Sequence, residues 1–341
     1  MLIQRACSSI EFLGLLGLMP VVLSAAPALA ASETVPAPAP TLEQQIQAQA
    51  AAQIQEAQWL VLKQRIDVAY QIQTGRAGGR WHSVVRVADA SGKLRPVVEA
   101  DSDAPVWAYS VNKVAVAVAV LDKVDRGELK LDQKLELTPD IIAIGSGIYH
   151  LQGVYGDELT IANLMTVMLL ASDNTAVRML SQVVPGSEVN EILARKGFSA
   201  THVDPIPGST RFFLGQTTPR EMNLMLAGIA DHTLISEPSA KFMLGIMRWV
   251  NGYNDGVRRN MSSQERLQVV TKYGAFEDSR HEVGIMFDAA GAPAVIYTFF
   301  NDGVGDIDNY GSTNPAVEAE AVLGREIFDI VNNEWGFTIP G

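Results

Sequence analysis

Strand-like text stands at the two ends of this chain and is largely missing between them. Residues 82–88 alternate weakly and carry Val84, Val85 and Val87; the turn Asp89-Ala90-Ser91-Gly92 then leads to a second strand over 93–99. Three more strands are predicted over 267–275, 282–288 and 294–301, separated by turn text such as Ala290-Gly291. The middle, about 104–265, reads mostly as helix: 111–126 with Gly127 as its stop, 161–170, 174–183, 189–196, 219–230 and 238–250. This distribution predicts an α+β fold, in which an antiparallel five-stranded sheet is formed from the N- and C-terminal segments, flanked by helices, with an all-helical subdomain inserted. Alternating βαβ units are missing, and no Walker loop or GxGxxG follows a strand, which disfavours a doubly wound nucleotide-binding fold.

The flanks add three segments. Residues 1–30 are expected to be a secretory signal: Arg5 gives a thin positive region, 12–23 is apolar though interrupted by Pro20, and Ala28-Leu29-Ala30 offers a small-residue cleavage site. The apolar run is shorter than the roughly 20 residues that a membrane span needs, so no stable membrane insertion is expected after cleavage. The expected location is exported, either periplasmic or extracellular. Residues 31–41 form an Ala/Pro-rich linker. From Leu42 to about 74 there is neither Pro nor Gly, and Leu42, Ile46, Ile54, Trp59, Leu62, Ile66 and Ala69 fall on roughly one face of a long helix. That helix is either a packing element or a partner-binding coiled coil. The remainder, 75–341, is read as the functional domain, closing with a helix over 318–332.

Composition then removes whole classes of chemistry. The net charge of −12 would repel a polyanion, and there is no Lys/Arg run to offset it, so no nucleic-acid partner is expected. Cys7 is the only cysteine and lies in the signal segment, which rules out a disulfide within the chain, a thiolate zinc site and a thiol nucleophile in the mature protein. The five histidines form no HExxH or HxH pattern. No metal and no cofactor are implied, and the chain is expected to be a monomer.

Three short motifs carry the remaining chemistry. Ser110-Val111-Asn112-Lys113 places a serine and a lysine one helical turn apart. A lysine there can take the serine proton if its pKa is depressed, and serine is a poor nucleophile without such a partner; the alternative is a capping serine beside a surface lysine. Ser172-Asp173-Asn174 sits between two helices, where Ser172 or Asp173 could equally be an N-cap. Lys272-Tyr273-Gly274 lies in strand text, with glycine allowing close backbone approach and lysine supplying positive charge; by itself it reads equally as a protected edge strand.

SxxK, SDN and KxG in that order resemble the motif set of class A β-lactamases and penicillin-binding proteins. The surrounding text is similar too: 110–135 to the nucleophile helix, 160–180 to the SDN region, TTPREM at 217–222 to the close of the omega loop, and 271–299 to the last two strands. The resemblance spans about 75–335. It implies that Ser110 is acylated and that Lys113 is its proton-transfer partner. Ser172 would relay a proton to the leaving group, Asn174 would position substrate, and Lys272 with Gly274 would serve the substrate carboxylate. The N–H groups of Ser110 and Ala275 would form the oxyanion hole. The implied ligand is a small-molecule β-lactam or acyl-amide substrate.

The chain also departs from that pattern. Tyr273 stands where the family usually has threonine or serine, Phe276 follows Ala275, and Arg280 falls about one residue from where it would serve the carboxylate site. The family's omega-loop glutamate, the base for deacylation, has no counterpart in 199–216; Asp204 and His202 are the only substitutes there. The expected function is therefore a β-lactamase-like serine hydrolase with weak deacylation. The competing expectations are a D,D-peptidase or esterase on another acyl substrate, and a non-catalytic binding protein on the same fold.

Overall fold

The computed structural model describes residues 40–152, 155–250 and 255–335. The expected signal segment and nearly all of the linker lie outside the described residues. Helix α1 (Leu42–Ala77) leads into strands β1 (Arg80–Ala88) and β2 (Leu94–Ala100). A two-residue strand β3 (Val106–Trp107) and a 3-10 turn over Tyr109–Asn112 precede helix α2 (Lys113–Asp125). Then come β4 (Lys134–Glu136), β5 (Glu158–Thr160), α3 (Ile161–Leu170), α4 (Asn174–Leu180) and α5 (Gly186–Arg195). Strands β6 (His202–Pro205) and β7 (Phe212–Thr217) follow, and helices α6 (Pro219–Ala230), α7 (Glu237–Met247) and α8 (Ser263–Arg266) complete the insert. The chain ends with β8 (Val269–Phe276), β9 (Ser279–Phe287), β10 (Pro293–Asp302) and α9 (Pro315–Trp335). By contacts the chain divides after Ala48, so the first residues of α1 belong to one unit and the rest of the helix to the other.

The main sheet has the order β2-β1-β10-β9-β8, and every pairing in it is antiparallel. The α+β fold with a five-stranded sheet made from both ends of the chain is therefore what the structure shows. Strand periodicity sorts its side chains into two cores. On β10, Tyr297 and Phe299 join Trp59, Leu62 and Ile66 of α1 and Leu323 and Ile327 of α9. Ile296 and Phe300 point the other way, into a larger core with α2, α3, α6 and α7. Each such side chain, fully buried, contributes roughly 1.5–3 kcal/mol.

Helix α2 runs through that second core. Val is a modest helix former, but a helix that is apolar all round is stable where every face is covered, and Val114 to Leu121 are all buried. Helix α6 is pinned to the sheet by Asn223, whose Nδ2 donates to the carbonyls of Val84 and Ile296.

Two expectations need correcting. The insert is not all helical, since it also holds a β3-β7-β6 sheet and a β4-β5 pair. The 199–216 segment, likened in sequence to an omega loop, is largely the β6–β7 hairpin, with His202 opposite Gln216 and Asp204 opposite Phe213. Its prolines fall at the end of β6 and in the connection, where no ladder N–H is required. Non-local partners hold it: Asn112 Nδ2 donates to the carbonyls of His202, Leu214 and Gln216, and the Glu221 carboxylate accepts from the N–H groups of Ser199, Ala200 and Thr201.

Candidate active site

The motif from Ser110 to Lys113 begins before its helix. Ser110 sits in the 3-10 turn rather than in α2, which starts at Lys113. Tyr109, just before it, has φ +45. A left-handed conformation at a residue other than glycine costs about 1–3 kcal/mol and collects at functional sites. The turn is braced from behind by His281. Its Nδ1 accepts from Asn301 N–H at 3.1 Å, which leaves Nε2–H to donate to the Trp107 carbonyl at 3.0 Å. Burial holds this ring neutral, with its pKa pushed down to about 4. The sequence offered no pattern that singled His281 out.

Strand β8 is an edge strand of the sheet and passes directly beside this turn. A Cβ at Gly274 would lie 2.9 Å from Val111 N, 3.0 Å from the Ala108 carbonyl and 3.1 Å from Ser110 N. Glycine is therefore a steric requirement at this close approach. It brings the next residue, Ala275, to the wall of the same cleft as Ser110.

Lys113 lies at the centre of the arrangement. Its Nζ is 2.9 Å from Ser110 Oγ, 2.5 Å from the Ser172 carbonyl, 3.1 Å from Ser172 Oγ and 2.8 Å from Asn174 Oδ1. Burial pushes its pKa down to about 7, and the nearby Asp173 carboxylate opposes that shift. A neutral amine has two N–H groups and one lone pair. The Ser172 carbonyl and Asn174 Oδ1 can only accept, so they take the two N–H groups, and the lone pair is left for the Ser110 hydroxyl.

The SDN segment is held by its middle residue. Asp173 caps α4 by accepting from Ala176 N–H, so the capping reading of that residue is correct as well. Its other oxygen accepts from the N–H groups of Ile148 at 2.6 Å and Tyr149 at 2.9 Å. Ser172 is forced to φ +55 and is buried. Asn174 has both amide ends engaged, donating to the Ile144 carbonyl as well as accepting from Lys113.

The structure brings Ser110, Asn174 and Ala275 around one cleft, with Lys113, Ser172, Lys272 and Gly274 immediately behind it. Lys272 is fully buried, and its Nζ donates to Ser172 Oγ at 3.0 Å and to the Tyr273 carbonyl at 2.8 Å. Burial, and then the neighbouring Lys113, push its pKa well below the lysine range. It therefore faces Ser172 and not the open cleft. Asp204 lines the cleft and stands 3.5 Å from His202. His202 itself turns its Nδ1 to the Ala200 carbonyl.

Arg280 is not directed at the site. It is buried and donates to the carbonyls of Glu277, Ser279, Ile307 and Asn309, and it stacks on Tyr310. It clamps the chain that follows β10 onto β9. Among the described residues no group of three or more His, Cys, Asp or Glu could hold a metal ion, and no helix is long and apolar enough to cross a membrane.

Comparison with known proteins bears on the family and the fold. The profile of the beta-lactamase enzyme family fits residues 60–331. Beta-lactamase VEB-1 of Pseudomonas aeruginosa is 25% identical over 177 residues, which is 48% of this chain and 58% of that protein, so the match spans little more than half of the relative. The beta-lactamase structure from Sphaerobacter thermophilus superposes with a TM-score of 0.66 at 21% identity, covering 81% of this chain and 98% of its own. An ancestral class A beta-lactamase gives a TM-score of 0.63 at 22% identity, covering 79% and 99%. At such identities the solved structures speak for the fold.

Proposed function

The chain belongs to the beta-lactamase enzyme family, and from that premise we propose that it is an exported serine hydrolase that works through an acyl-enzyme at Ser110. The observation that carries this reading is the position of Lys113, whose Nζ lies 2.9 Å from Ser110 Oγ, its shortest hydroxyl contact, with the acceptor-only Ser172 carbonyl and Asn174 Oδ1 also in reach.

In the proposed reaction, Ser110 Oγ bonds to the substrate carbonyl carbon and its proton passes to Lys113 Nζ. The N–H groups of Ser110 and Ala275 stabilise the oxyanion, where each donor contributes a few kcal/mol in the transition state. As the tetrahedral centre collapses, its bond to the leaving nitrogen or oxygen breaks, and that atom takes a proton from Ser172 Oγ. Ser172 is resupplied by Lys113, 3.1 Å away, and Lys272 at 3.0 Å keeps its hydroxyl oriented. Water then cleaves the ester at Ser110. No glutamate stands in 199–216 to deprotonate that water, so this second step is the slow one.

The test is intact-mass analysis after incubation with benzylpenicillin and, separately, a fluorophosphonate. An acyl adduct from the penicillin, or a phosphonyl adduct from the fluorophosphonate, that is missing in Ser110→Ala supports the reading. The absence of any adduct from either reagent would leave the non-catalytic binding protein as the better account.

A further inference from the structure

We infer that the acyl group this site takes ends in a carboxylate of its own, held by Arg178 and Arg211 beyond Asn174, so that its substrates are amides or esters derived from dicarboxylic acids. The inference rests on the acyl-enzyme reading above and names the substrate class for the same site.

A second hollow of about 350 Å³ opens beside the cleft at Ser110 and shares Asn174, Phe213 and Leu214 with it. Its size is that of a small-molecule subsite. Two elements supply its charge. Arg178 lies four residues after Asn174 on α4, so both side chains fall on one face of that helix. Arg211 stands just before β7, the strand that carries Phe213 and Leu214. Helix and hairpin thus bring two guanidinium groups to one side of the Ser110 cleft.

These charges are not balanced from within. Among the described residues Arg178, which is half-buried, has no carboxylate partner. Its Nη1 donates to the Ile142 carbonyl, and a carbonyl satisfies a donor without neutralising the charge. Burial, and then Arg211, lower the pKa of Arg178, as expected where two like charges share a half-buried place. Arg211 does have a counter-ion, Asp140, at 3.1 Å. That carboxylate is 76% exposed, so water screens the pair. Two cations and one carboxylate leave the hollow one positive charge in excess, on a chain whose net charge is −12. A guanidinium fork matches a carboxylate with two parallel N–H···O bonds.

The rest of the wall fits an apolar stem in front of that carboxylate. Phe213 and Ile144 line the hollow while 69% and 80% exposed. Covering them contributes in proportion to the apolar area removed from water. An acyl group bonded to Ser110 Oγ reaches the arginines by passing Asn174 and lying along Phe213. The distal carboxylate takes no part in bond exchange. It anchors the far end of the acyl chain while the proximal carbonyl is attacked.

The experiment measures protection of Ser110 against a fluorophosphonate by two penicillins, the adipoyl and hexanoyl amides of the penicillin nucleus. They share the ring carboxylate and differ only at the end of the acyl chain, a carboxylate in one and a methyl group in the other. The adipoyl compound is expected to protect at a concentration about tenfold lower, the discrimination that one charge-assisted hydrogen bond gives. In Arg178→Gln that ratio should shrink towards one, and Arg178→Lys should restore part of it, since the charge returns without the fork. A merely structural loss would weaken both compounds alike and leave the ratio. Arg211→Gln should lower the ratio as well. Equal protection by the two compounds, or a ratio unmoved in Arg178→Gln and Arg211→Gln, overturns the inference. So does failure of both to protect while the fluorophosphonate labels Ser110, a result that leaves the acyl-enzyme reading standing. If nothing labels Ser110 in the wild type, both fall.

Discussion

Gly274 and Ser110 belong to different layers of the fold, yet a Cβ on the glycine would come within 3.1 Å of the serine N–H nitrogen. Edge strand and nucleophile turn are therefore one mechanical unit. Gly274→Ala is expected to leave the far-ultraviolet circular dichroism spectrum intact while lowering acylation at least tenfold, because the 3-10 turn must shift by several tenths of an ångström. A placement error of that size costs geometry in the transition state. Wild-type acylation in this variant would show that the turn can yield without loss.

Ser110→Ala should abolish covalent labelling by penicillin and fluorophosphonate, whereas Ser172→Ala should only slow it. Ser172 Oγ touches both lysines but sits 1% exposed behind the cleft. It is placed to pass a proton and not to attack. Undiminished labelling of Ser110→Ala would remove the nucleophile assignment.

Lys113→Arg is expected to be nearly as inactive as Lys113→Ala, because a guanidinium keeps its proton at working pH. In the wild type, acylation should rise with pH through about 7, the pKa to which burial lowers Lys113. Below that value the amine is protonated and has no lone pair for the Ser110 hydroxyl. A flat acylation profile between about pH 5.5 and 8.5, read by stopped-flow, would argue against a base at this position.

Turnover of a good substrate should show a burst of about one equivalent followed by a slow steady rate. General-base help in hydrolysis is worth about 10²–10⁴-fold, and 199–216 offers only Asp204 and His202 to supply it. If one of them serves, its alanine variant should enlarge the burst. Single-phase turnover, unchanged in both variants, would place the base elsewhere.

Glu282 and Glu320 form a buried acidic pair beneath the sheet, and a Cβ at Gly256 would touch both carboxyl groups. Thr271 Oγ1 and Val257 N–H donate to Glu282, and Arg258 is the nearby cation. Burial pushes Glu282 up to about 7, and burial together with Glu282 pushes Glu320 well above the carboxylate range. A carboxyl whose pKa is higher folded than unfolded stabilises the fold at low pH and loses that contribution as pH rises through the folded value. Stability should therefore fall between about 4.5 and 7, and the fall should be smaller in Glu320→Gln. Parallel pH–Tm curves for the two proteins would contradict this.

Most of the architecture was legible because local signals and tertiary demand agree in it. The five strands and the helices of the insert carry their own periodicity, and Gly127, with φ +74, stops the chain after α2 where expected. The clustering of Ser110, Lys113, Ser172 and Lys272 was legible only through the order of three motifs, each weak alone. What stayed hidden depends on distant partners. Proline-rich text at 199–216 becomes a hairpin because Asn112 and Glu221 satisfy its backbone. The direction of Arg280 is set by carbonyls some 30 residues away, which no spacing rule encodes.

The pairing of β1 with β10 has a consequence for how the molecule comes into being. Val84 N–H donates to Thr298 Oγ1 across 214 residues of sequence, so the middle of the sheet cannot close until nearly the whole chain has been synthesised. Until then α2 has no finished sheet to pack on, and the serine and lysine that define the site have no edge strand to fix them. Contacts of such separation slow folding. The proposed site at Ser110 and Lys113 therefore depends on a pairing between β1 and β10, strands that lie more than 200 residues apart.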